Sequence, residues 1–288
     1  MKIYSPLIKL LFFIAISTSL TACKNKTIDE DVVLDIDTEI IRLDADLEVT
    51  VAEIINTTYQ AEVIGTVTKK TYDENDILEE CARVEKDSTY ENQKIIINTT
   101  IDFGNYDCEG NDGRHRRGKI KVISVYETYP LVYLTSRKIE TDEYYFKKDK
   151  INLKCDFQLN PSQLLPPKFS LSGDVKVIYF ETNDSCYHSF SRTKTIQKGA
   201  ETPMLLSDDE WLIEGSNSGY RKDGKNYESE TIEPLVKTNC RVFDSGKINY
   251  SVEGEDDYEI DFGAGNNSEC NSVVDITKNG ETKVISIE

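Results

Sequence analysis

From residue 81 to the C-terminus, polar and apolar residues alternate in short segments separated by turn-forming residues. An alternating pattern of this kind is typical of β-strands that bury one face. No long helical pattern interrupts it, so the sequence predicts a mainly β body, an antiparallel β-sheet with a sandwich-like arrangement. The alternation is clearest in segments 119–126, 175–180, 247–252 and 283–287.

Turn chemistry separates these segments. Gly, Asn and Asp favour the tight turns that connect antiparallel strands. Proline cannot donate a ladder hydrogen bond, so Pro161, Pro166 and Pro167 predict a loop where no central strand runs. The predicted turns are Asn111-Asp112-Gly113, Ser172-Gly173-Asp174, Lys222-Asp223-Gly224, Asp244-Ser245-Gly246 and Asn279-Gly280.

A different periodicity precedes the β body. Five apolar residues recur at a spacing that places them on one face of a helix over residues 43–60. We expect a short N-terminal helix, within a helical and linker segment at 41–80 that packs on the body. A helix that binds a partner is the alternative. The residues that define the face are Leu47, Val51, Ile54, Ile55 and Tyr59.

The N-terminus has the pattern of a lipoprotein signal. Lys2 and Lys9 precede an apolar run at 10–20. This run is too short for a comfortable membrane span. Leu20-Thr21-Ala22-Cys23 then matches a bacterial lipobox, which predicts removal of residues 1–22 and a membrane lipid on the Cys23 sulfur. An ordinary signal peptide is the alternative. The polar and acidic residues that follow predict a flexible tether at 23–40.

The chain is strongly acidic, with a formal net charge of −18 at pH 7. Because Lys2 and Lys9 leave with the signal, the mature chain becomes more acidic still. Phosphates would be repelled, which excludes nucleic acid as a partner and disfavours lying flat on an anionic lipid surface. Lys24 after the anchor favours the outer membrane, at its periplasmic face or at the cell surface.

Six cysteines remain after the lipidated one. An oxidising envelope compartment makes three disulfides the default, and spacing alone leaves 15 possible pairings. Close pairs that would favour a metal are missing, so no metal or other cofactor is expected. The six are Cys81, Cys108, Cys155, Cys186, Cys240 and Cys270.

An internal repeat narrows the pairing. Four short blocks in 81–126 recur in 240–288, and the final block begins 13 positions after the second cysteine of each unit. We interpret the two copies as one supersecondary unit used twice. A disulfide within each unit joins Cys81 to Cys108 and Cys240 to Cys270, which leaves Cys155 with Cys186. The other matched blocks are 101–104 with 260–263 and 121–124 with 283–286.

Positive charge gathers in one segment of this acidic chain. Arg forks suit carboxylates and phosphates, so the segment predicts contact with an anion, a glycan or an acidic protein partner. The alternative is a solvated hairpin tip whose charges discourage edge pairing. The candidate residues are Arg114, Arg116, Arg117 and Lys119, with His115 and Lys121 beside them.

Catalytic motifs do not emerge. Asp102-Phe103-Gly104 lacks the loops that accompany this trio in kinases, and neither His115 nor His188 lies near a nucleophile motif. No catalytic residue is therefore assigned. The 52 acidic residues leave a carboxylate pair possible in principle.

Several blocks together resemble a group of lipoproteins of Bacteroidota with no assigned activity. The resemblance covers residues 81–288 and implies an envelope address and a β-rich fold. Cys155 and Cys186 lie outside its pattern, and it brings no site residues. The blocks that carry it are the lipobox at Cys23, Cys81, 101–104, Cys108, 111–120, 211–215, Tyr227, 234–236, Cys240, 245–246, 260–263 and Cys270.

These observations predict a disulfide-stapled, lipid-anchored envelope protein that binds or spaces a partner such as a glycan or a protein. The alternative is an envelope hydrolase that acts on carbohydrate through paired carboxylates. A cleft that holds two close acids without a basic neighbour would favour the hydrolase, whereas an extended β surface favours binding.

Overall fold

The computed structural model describes residues 38–64, 78, 81–129, 132–164, 166–199, 209–238, 243–263 and 273–286. The predicted signal at 1–22, the lipid-attachment residue Cys23 and most of the predicted tether lie outside these residues. Cys240 and Cys270 also lie outside them, so their pairing stays a prediction.

The described chain consists of one helix followed by strands only. The helix α1 spans Thr38–Ile64. The strands are β1 (Arg83–Glu91), β2 (Lys94–Asp102), β3 (Cys108–Glu109), β4 (His115–Glu127), β5 (Tyr133–Phe146), β6 (Asp149–Leu164), β7 (Pro167–Ile178), β8 (Ser185–Lys198), β9 (Glu210–Tyr220), β10 (Asn226–Lys237), β11 (Ser245–Val252), β12 (Tyr258–Asp261), β13 (Val273–Lys278) and β14 (Glu281–Ser286).

All of these strands belong to one open sheet in which each strand pairs antiparallel with the next along the chain. Only the short β3 leaves this order, because it pairs with β4 beside β2. The predicted antiparallel β body is therefore confirmed. Short hairpin connections explain the simple strand order, since consecutive antiparallel strands need only a tight turn.

Alternation along the strands separates a buried face from an outer face. On β4, Arg116, Ile120, Val122 and Ser124 are buried, and Lys121 between them is exposed. The same period recurs along the sheet, for example at Ile248, Tyr250 and Val252 of β11. In the remainder of the text, the inner face is the one that carries these buried residues.

Helix α1 packs on the inner face. Leu47, Val51, Ile54 and Ala61 are buried and join one hydrophobic cluster with inner-face residues of β2 and β4–β8. The predicted helix is confirmed and extends beyond 43–60 at both ends. Because its apolar side contacts the sheet, packing on the body, rather than an external partner, accounts for the apolar period.

The sheet coils around α1. Ser124 and Arg192 lie in one cross-strand row, through Arg137, Phe157 and Leu171. On a flat sheet this row would lie about 26 Å from Arg116, eight residues earlier on β4. One turn of α1 nevertheless contacts both Arg116 and the row that contains Arg192. Glu53 contacts Arg116, and Val51 lines a small cavity with Arg192.

Most turn predictions are confirmed. Turns occur at 111–113, 222–224 and 279–280, and Asn279 and Gly280 both have positive φ, as a type I′ hairpin requires. The predictions at Ser172-Gly173-Asp174 and Asp244-Ser245-Gly246 are wrong, because Gly173 lies inside β7 and Ser245 and Gly246 begin β11. A Cβ on Gly173 would lie 2.3 Å from the Lys154 carbonyl oxygen and 3.0 Å from Cζ of Phe190. This glycine serves close packing within the sheet.

The proline segment also differs from the prediction. Pro161 lies in β6 and Pro167 begins β7, both of which are central strands. Proline in a central strand would normally remove a ladder hydrogen bond. Here no such bond is lost, because the regular ladder breaks between Leu159 and Leu164, at the tip of this hairpin. Proline is tolerated where no ladder hydrogen bond is needed.

The first predicted disulfide is confirmed, since Cys81 and Cys108 are bonded. The predicted pairing of Cys155 with Cys186 is wrong, and both are buried free thiols. Cys155 pairs across the ladder with Gly173 of β7, whereas Cys186 pairs with Val177 on the other side of that strand. The two cysteines are therefore about 10 Å apart across the sheet and about 13 Å apart along it. A disulfide cannot span that distance.

One backbone hydrogen bond to a glycine carbonyl recurs in both copies of the repeat. Phe103 N donates to the Gly118 carbonyl at 2.9 Å, and Phe262 N donates to the Gly246 carbonyl at 3.0 Å. Both glycines have positive φ, at 86° and 107°. In the first copy the block at 101–104 precedes its partner glycine, whereas in the second it follows.

One supersecondary unit used twice stays a prediction, because the second copy is described only in part. Residues 121–124 lie in the long strand β4, but 283–286 lie in β14, after the hairpin turn at 279–280. In both copies the matched block begins at the end of a strand that pairs with the strand before it, Ile101 with Val84 of β1 and Ile260 with Ile248 of β11. The two copies therefore share this hairpin and differ in where the last block lies.

Candidate functional site

The predicted basic segment lies at the start of β4, where its arginines reach α1. Arg114 Nη1 donates to Glu53 Oε2 at 2.9 Å. Arg116 donates to Glu53 and to both carboxylate oxygens of Asp112, at 2.9 Å from Nη1 and 2.6 Å from Nη2. Arg116 is fully buried and lies over the Phe146 ring. The structure thus brings two carboxylates around one buried guanidinium, which we name the Arg116 cluster.

The other predicted contact residues lie on the outer face. Arg117 Nη1 lies 3.5 Å from Asp107, and its guanidinium is 3.8 Å from the Tyr145 ring centre. Lys119 Nζ lies 2.9 Å from Asp102, and the hydrogen bond between these two side chains raises the pKa of Lys119. Internal carboxylates therefore account for this charge, while contact with an external anion or partner stays a prediction.

A second polar cluster fixes the C-terminal part of α1. Glu62 accepts hydrogen bonds from Ser124, Tyr126 and Arg137, with 2.9 Å between Tyr126 Oη and Glu62 Oε2. The Arg137 guanidinium also lies 4.3 Å from the Tyr59 ring centre. Burial and the Glu62 charge raise the pKa of Tyr126 to about 12, so this tyrosine stays a donor.

The two clusters hold opposite sides of the helix. Glu53 and Glu62 are nine residues apart, which places them about 180° apart around the helix axis. Their partners are 61 to 75 residues away in sequence. Sequence reasoning missed them for that reason, although two acids on the flanks of an apolar helical face were a visible signal.

Acid should weaken the Arg116 cluster. Burial alone would disfavour the Asp112 carboxylate, but hydrogen bonds and charge from Arg116 hold the pKa of Asp112 below its ordinary value. A lowered folded-state pKa contributes stability above the unfolded-state value near 4, and this contribution is lost as the pH falls through the folded-state pKa. The stability difference between the parent chain and Asp112→Asn should therefore shrink below about pH 4 in urea unfolding. An unchanged difference at pH 3 would contradict the assignment.

An aromatic row crosses the inner face beyond α1. His188, Tyr227, Tyr250 and Tyr258 stack in sequence, with ring centres 6.0 to 6.4 Å apart. His188 Nδ1 and Tyr227 Oη are 2.6 Å apart, although β9 runs between their strands. They meet because both face Gly219, which has no side chain to separate them.

Replacing Gly219 by alanine should disrupt this row. The new Cβ would lie 1.9 Å from the Tyr187 carbonyl oxygen and 3.1 Å from Cα of His188. Overpacking of this kind costs about 1–3 kcal/mol of unfolding free energy, measured by urea denaturation. Gly224→Ala is a control that lies in open space but has a φ of 84°, so it tests backbone strain without a clash. A larger loss at Gly224 than at Gly219 would contradict the steric account.

A buried polar chain lies beside the aromatic row. Arg192 Nη2 donates to Asn217 Oδ1 at 2.7 Å, and Asn217 Nδ2 donates to Ser229 Oγ at 3.1 Å. All three side chains are more than nine-tenths buried, and they line a small cavity with Phe243. The cavity has room for about one water-sized group, which is too little for a substrate.

The outer face changes character from strand to strand. On one side, Lys138 of β5 pairs with Asp156 of β6. On the other side, Glu228 and Glu230 are exposed on β10. Between them, the outer face of β7–β9 carries a patch of hydroxyl side chains, with Lys168, Asp174, Lys176, Glu210 and Glu214 around it. These hydroxyl residues are Ser170, Ser172, Ser189, Ser191, Thr193, Ser216 and Ser218.

Two groups of carboxylates among the described residues converge on a cation. Lys247 Nζ lies within 3.5 Å of Glu233, Glu259 and Asp261, as Arg116 lies between Glu53 and Asp112. Within the ranges that the structure describes, no three His, Cys, Asp or Glu side chains converge in a way that could hold a metal ion.

The two free thiols, Cys155 and Cys186, are poor nucleophiles. Burial raises the pKa of Cys155 to about 12 and also raises the pKa of Cys186. A thiol attacks as a thiolate, so neither cysteine has the character of a nucleophile.

The fold and these contacts define the class as an open antiparallel β-sheet that coils around one docked helix. Comparison with protein-family models, with curated proteins and with solved structures finds no match for this chain. The described part of the chain contains no helix with both the length and the apolar character needed to cross a membrane.

Proposed function

We propose that this protein is a lipoprotein of the bacterial cell envelope, held to the outer membrane through acylated Cys23, that binds a partner. The docking of α1 is the observation that carries the proposal. The segment that follows the lipobox leads into a helix fixed in the body by two buried arginines, Arg116 and Arg137. An anchor at Cys23 would therefore hold the folded body near the membrane through the predicted tether.

The anchor is tested by acylation and fractionation of the full chain in a bacterial host. Labelling with an alkyne fatty acid should modify the parent protein and should fail for Cys23→Ser. The parent protein should sediment with membranes, whereas Cys23→Ser should not, because a lipidated chain partitions into the bilayer. A parent protein without a fatty acid would refute the anchor.

Binding is better supported than hydrolysis. A carbohydrate hydrolase needs one carboxylic acid and one carboxylate facing a substrate. The converging carboxylates described above instead enclose Arg116 or Lys247, which offsets part of their charge. This arrangement suits stabilisation of the fold.

The hydroxyl-lined outer face of β7–β9 is the surface that we assign to the partner. Hydroxyl groups both donate and accept hydrogen bonds, which suits the hydroxyl groups of a neutral glycan. Ser172, Ser191 and Ser216 lie in one row across the three strands, and all three are exposed. A neutral partner would also escape the repulsion that the acidic chain exerts on anions.

A panel of neutral envelope and host oligosaccharides tests this surface. Ser191→Lys should weaken binding about tenfold or more, because it replaces a central hydroxyl with a long, hydrated cation. Asn98→Lys is the matched control, since Asn98 is exposed on the outer face of β2. Equal effects of the two substitutions would refute the assigned surface, and turnover of any oligosaccharide would favour the hydrolase.

A further inference from the structure

We propose that Tyr187 and Tyr220, which stack on the outer face, form a stacking subsite for one sugar ring of a neutral oligosaccharide. The oligosaccharide then lies along β8, from these two rings across the hydroxyl patch. We name Tyr187 and Tyr220 the tyrosine platform. The inference rests on the proposed glycan surface and adds the class of sugar and the direction in which the sugar chain lies.

The tyrosine platform is a paired aromatic surface at one end of the hydroxyl patch. Tyr187 of β8 and Tyr220 of β9 face each other directly in the ladder. Their ring centres are 5.7 Å apart, with 19° between the ring planes, and both side chains are half-buried. Among the residues that the structure describes, the other stacked ring pairs lie on the inner face. This pair is therefore the stacked aromatic surface that meets solvent.

A hydrogen bond holds one ring of the platform in place. Tyr187 Oη donates to Asp174 Oδ1 at 2.5 Å, from β8 to β7. This hydrogen bond raises the pKa of Tyr187, so the hydroxyl group stays protonated and remains the donor. A ring that is already fixed by a hydrogen bond and by stacking loses little conformational freedom when a ligand binds. The platform is therefore preorganised for a flat ligand.

The chemistry of the platform suits a pyranose ring. A tyrosine ring has an apolar, electron-rich face. A pyranose with mainly equatorial hydroxyl groups, as in glucose oligosaccharides, presents C–H groups on its face and hydroxyl groups at its edge. The exposed Asp174 carboxylate beside the platform has acceptor capacity for such a hydroxyl group. Aromatic side chains with a few placed polar groups are typical of sites for small molecules.

The hydroxyl patch continues from the platform along β8. Ser189, Ser191 and Thr193 follow Tyr187 at every second position and therefore share its face. The distance from Tyr187 to Thr193 along the strand is about 20 Å. Ser218 of β9 faces Ser189 and widens the patch. A surface of this length exceeds one sugar ring, so it suits an oligosaccharide whose further units meet the hydroxyl groups.

The charges around the platform favour a neutral sugar. Lys176 lies beside Tyr187 in the ladder, and Asn226 lies beside Tyr220. Asp174 offsets the charge of Lys176 on the same strand, so the margin of the platform carries both signs. The whole chain, with a net charge of −18, repels an acidic sugar at longer range.

Calorimetric titration of the full-length protein, in a detergent without a sugar headgroup, tests the sugar class. The probes are the neutral glucose hexamers cellohexaose and maltohexaose, glucose itself, and the acidic hexagalacturonate. The parent protein should bind a neutral hexamer about tenfold or more tightly than glucose, because only the hexamer reaches both the platform and the hydroxyl patch. Hexagalacturonate should bind more weakly than that hexamer.

Substitutions of the platform test stacking. Tyr187→Leu and Tyr220→Leu keep an apolar side chain but remove the ring, and each should weaken binding of the hexamer about tenfold. Tyr187→Phe keeps the ring and should retain most of the affinity. Tyr145→Leu is the matched control and should leave binding unchanged, because Tyr145 is also half-buried on the outer face but lies on β5, outside the patch. Circular dichroism confirms that each variant is folded.

The outcomes separate this inference from the proposed function. A hexamer whose binding is weakened by Ser191→Lys but by neither leucine variant would overturn the tyrosine platform and leave the proposed surface intact. Equal losses for Tyr187→Phe and Tyr187→Leu, or a similar loss for Tyr145→Leu, would overturn stacking as the source of affinity. Tighter binding of hexagalacturonate, or no binding of either neutral hexamer, would overturn the sugar class. Only a wider panel of neutral oligosaccharides without any binder would also overturn the proposed function.

Discussion

Replacing Arg116 by methionine is expected to lower the free energy of unfolding by about 3–5 kcal/mol. Methionine retains an apolar stem of similar length but removes the guanidinium that Glu53 and Asp112 share. Arg116 is fully buried, and Glu53 is only 10% exposed, so water cannot replace the lost hydrogen bonds well. The cost arises because Glu53 and Asp112 lose their buried partner and keep only the half-exposed Arg114 nearby, rather than from the pair attraction itself.

Urea denaturation of the parent and variant proteins measures this effect. Arg83→Ala is the matched control, because Arg83 forms an exposed ion pair with Glu85 and should cost less than about 1 kcal/mol. Adding Glu53→Gln to Arg116→Met should recover part of the loss, since one orphaned charge disappears. Equal losses for Arg116→Met and Arg83→Ala would show that the cluster is not coupled to folding.

The second large effect is expected from the confirmed disulfide. Removing it with Cys81→Ser and Cys108→Ser together should cost about 3–4 kcal/mol in the chain-entropy model, given the sequence separation of 27 residues. The reason is that the bond restricts the unfolded chain and ties the start of β1 to β3.

Thermal unfolding with and without a thiol reductant checks this prediction. The parent protein should lose stability in reductant, whereas the double serine variant should not respond. Cys155→Ala separates the effect of a buried thiol from that of a disulfide, because Cys155 is free. A parent protein whose stability does not change on verified reduction of the bond would contradict the assignment.

Local patterns predicted the strands and the helix well. Alternation marked β4 and β11 because each strand buries one face, and the apolar spacing from Leu47 to Tyr59 marked α1. The repeat identified the Cys81–Cys108 bond because both cysteines belong to one neighbouring set of strands. These features depend on interactions within or between adjacent segments.

Features that depend on the distant chain escaped prediction. Gly173 was assigned to a turn because glycine favours turns, but a close approach of Phe190 and Lys154 explains it. The pairing of Cys155 with Cys186 followed from elimination, and the intervening strand β7 rules it out. The partners of Glu53 and Glu62 depend on how the sheet coils, which local periodicity does not contain.

The strand order has a consequence for how the protein folds. Because nearly every strand pairs with its neighbour in sequence, most of the sheet needs only short loop closures and can grow one hairpin at a time. Docking of α1 is different, since Glu62 and Arg137 are 75 residues apart. The helix should therefore join late, after a template of several strands exists to receive it.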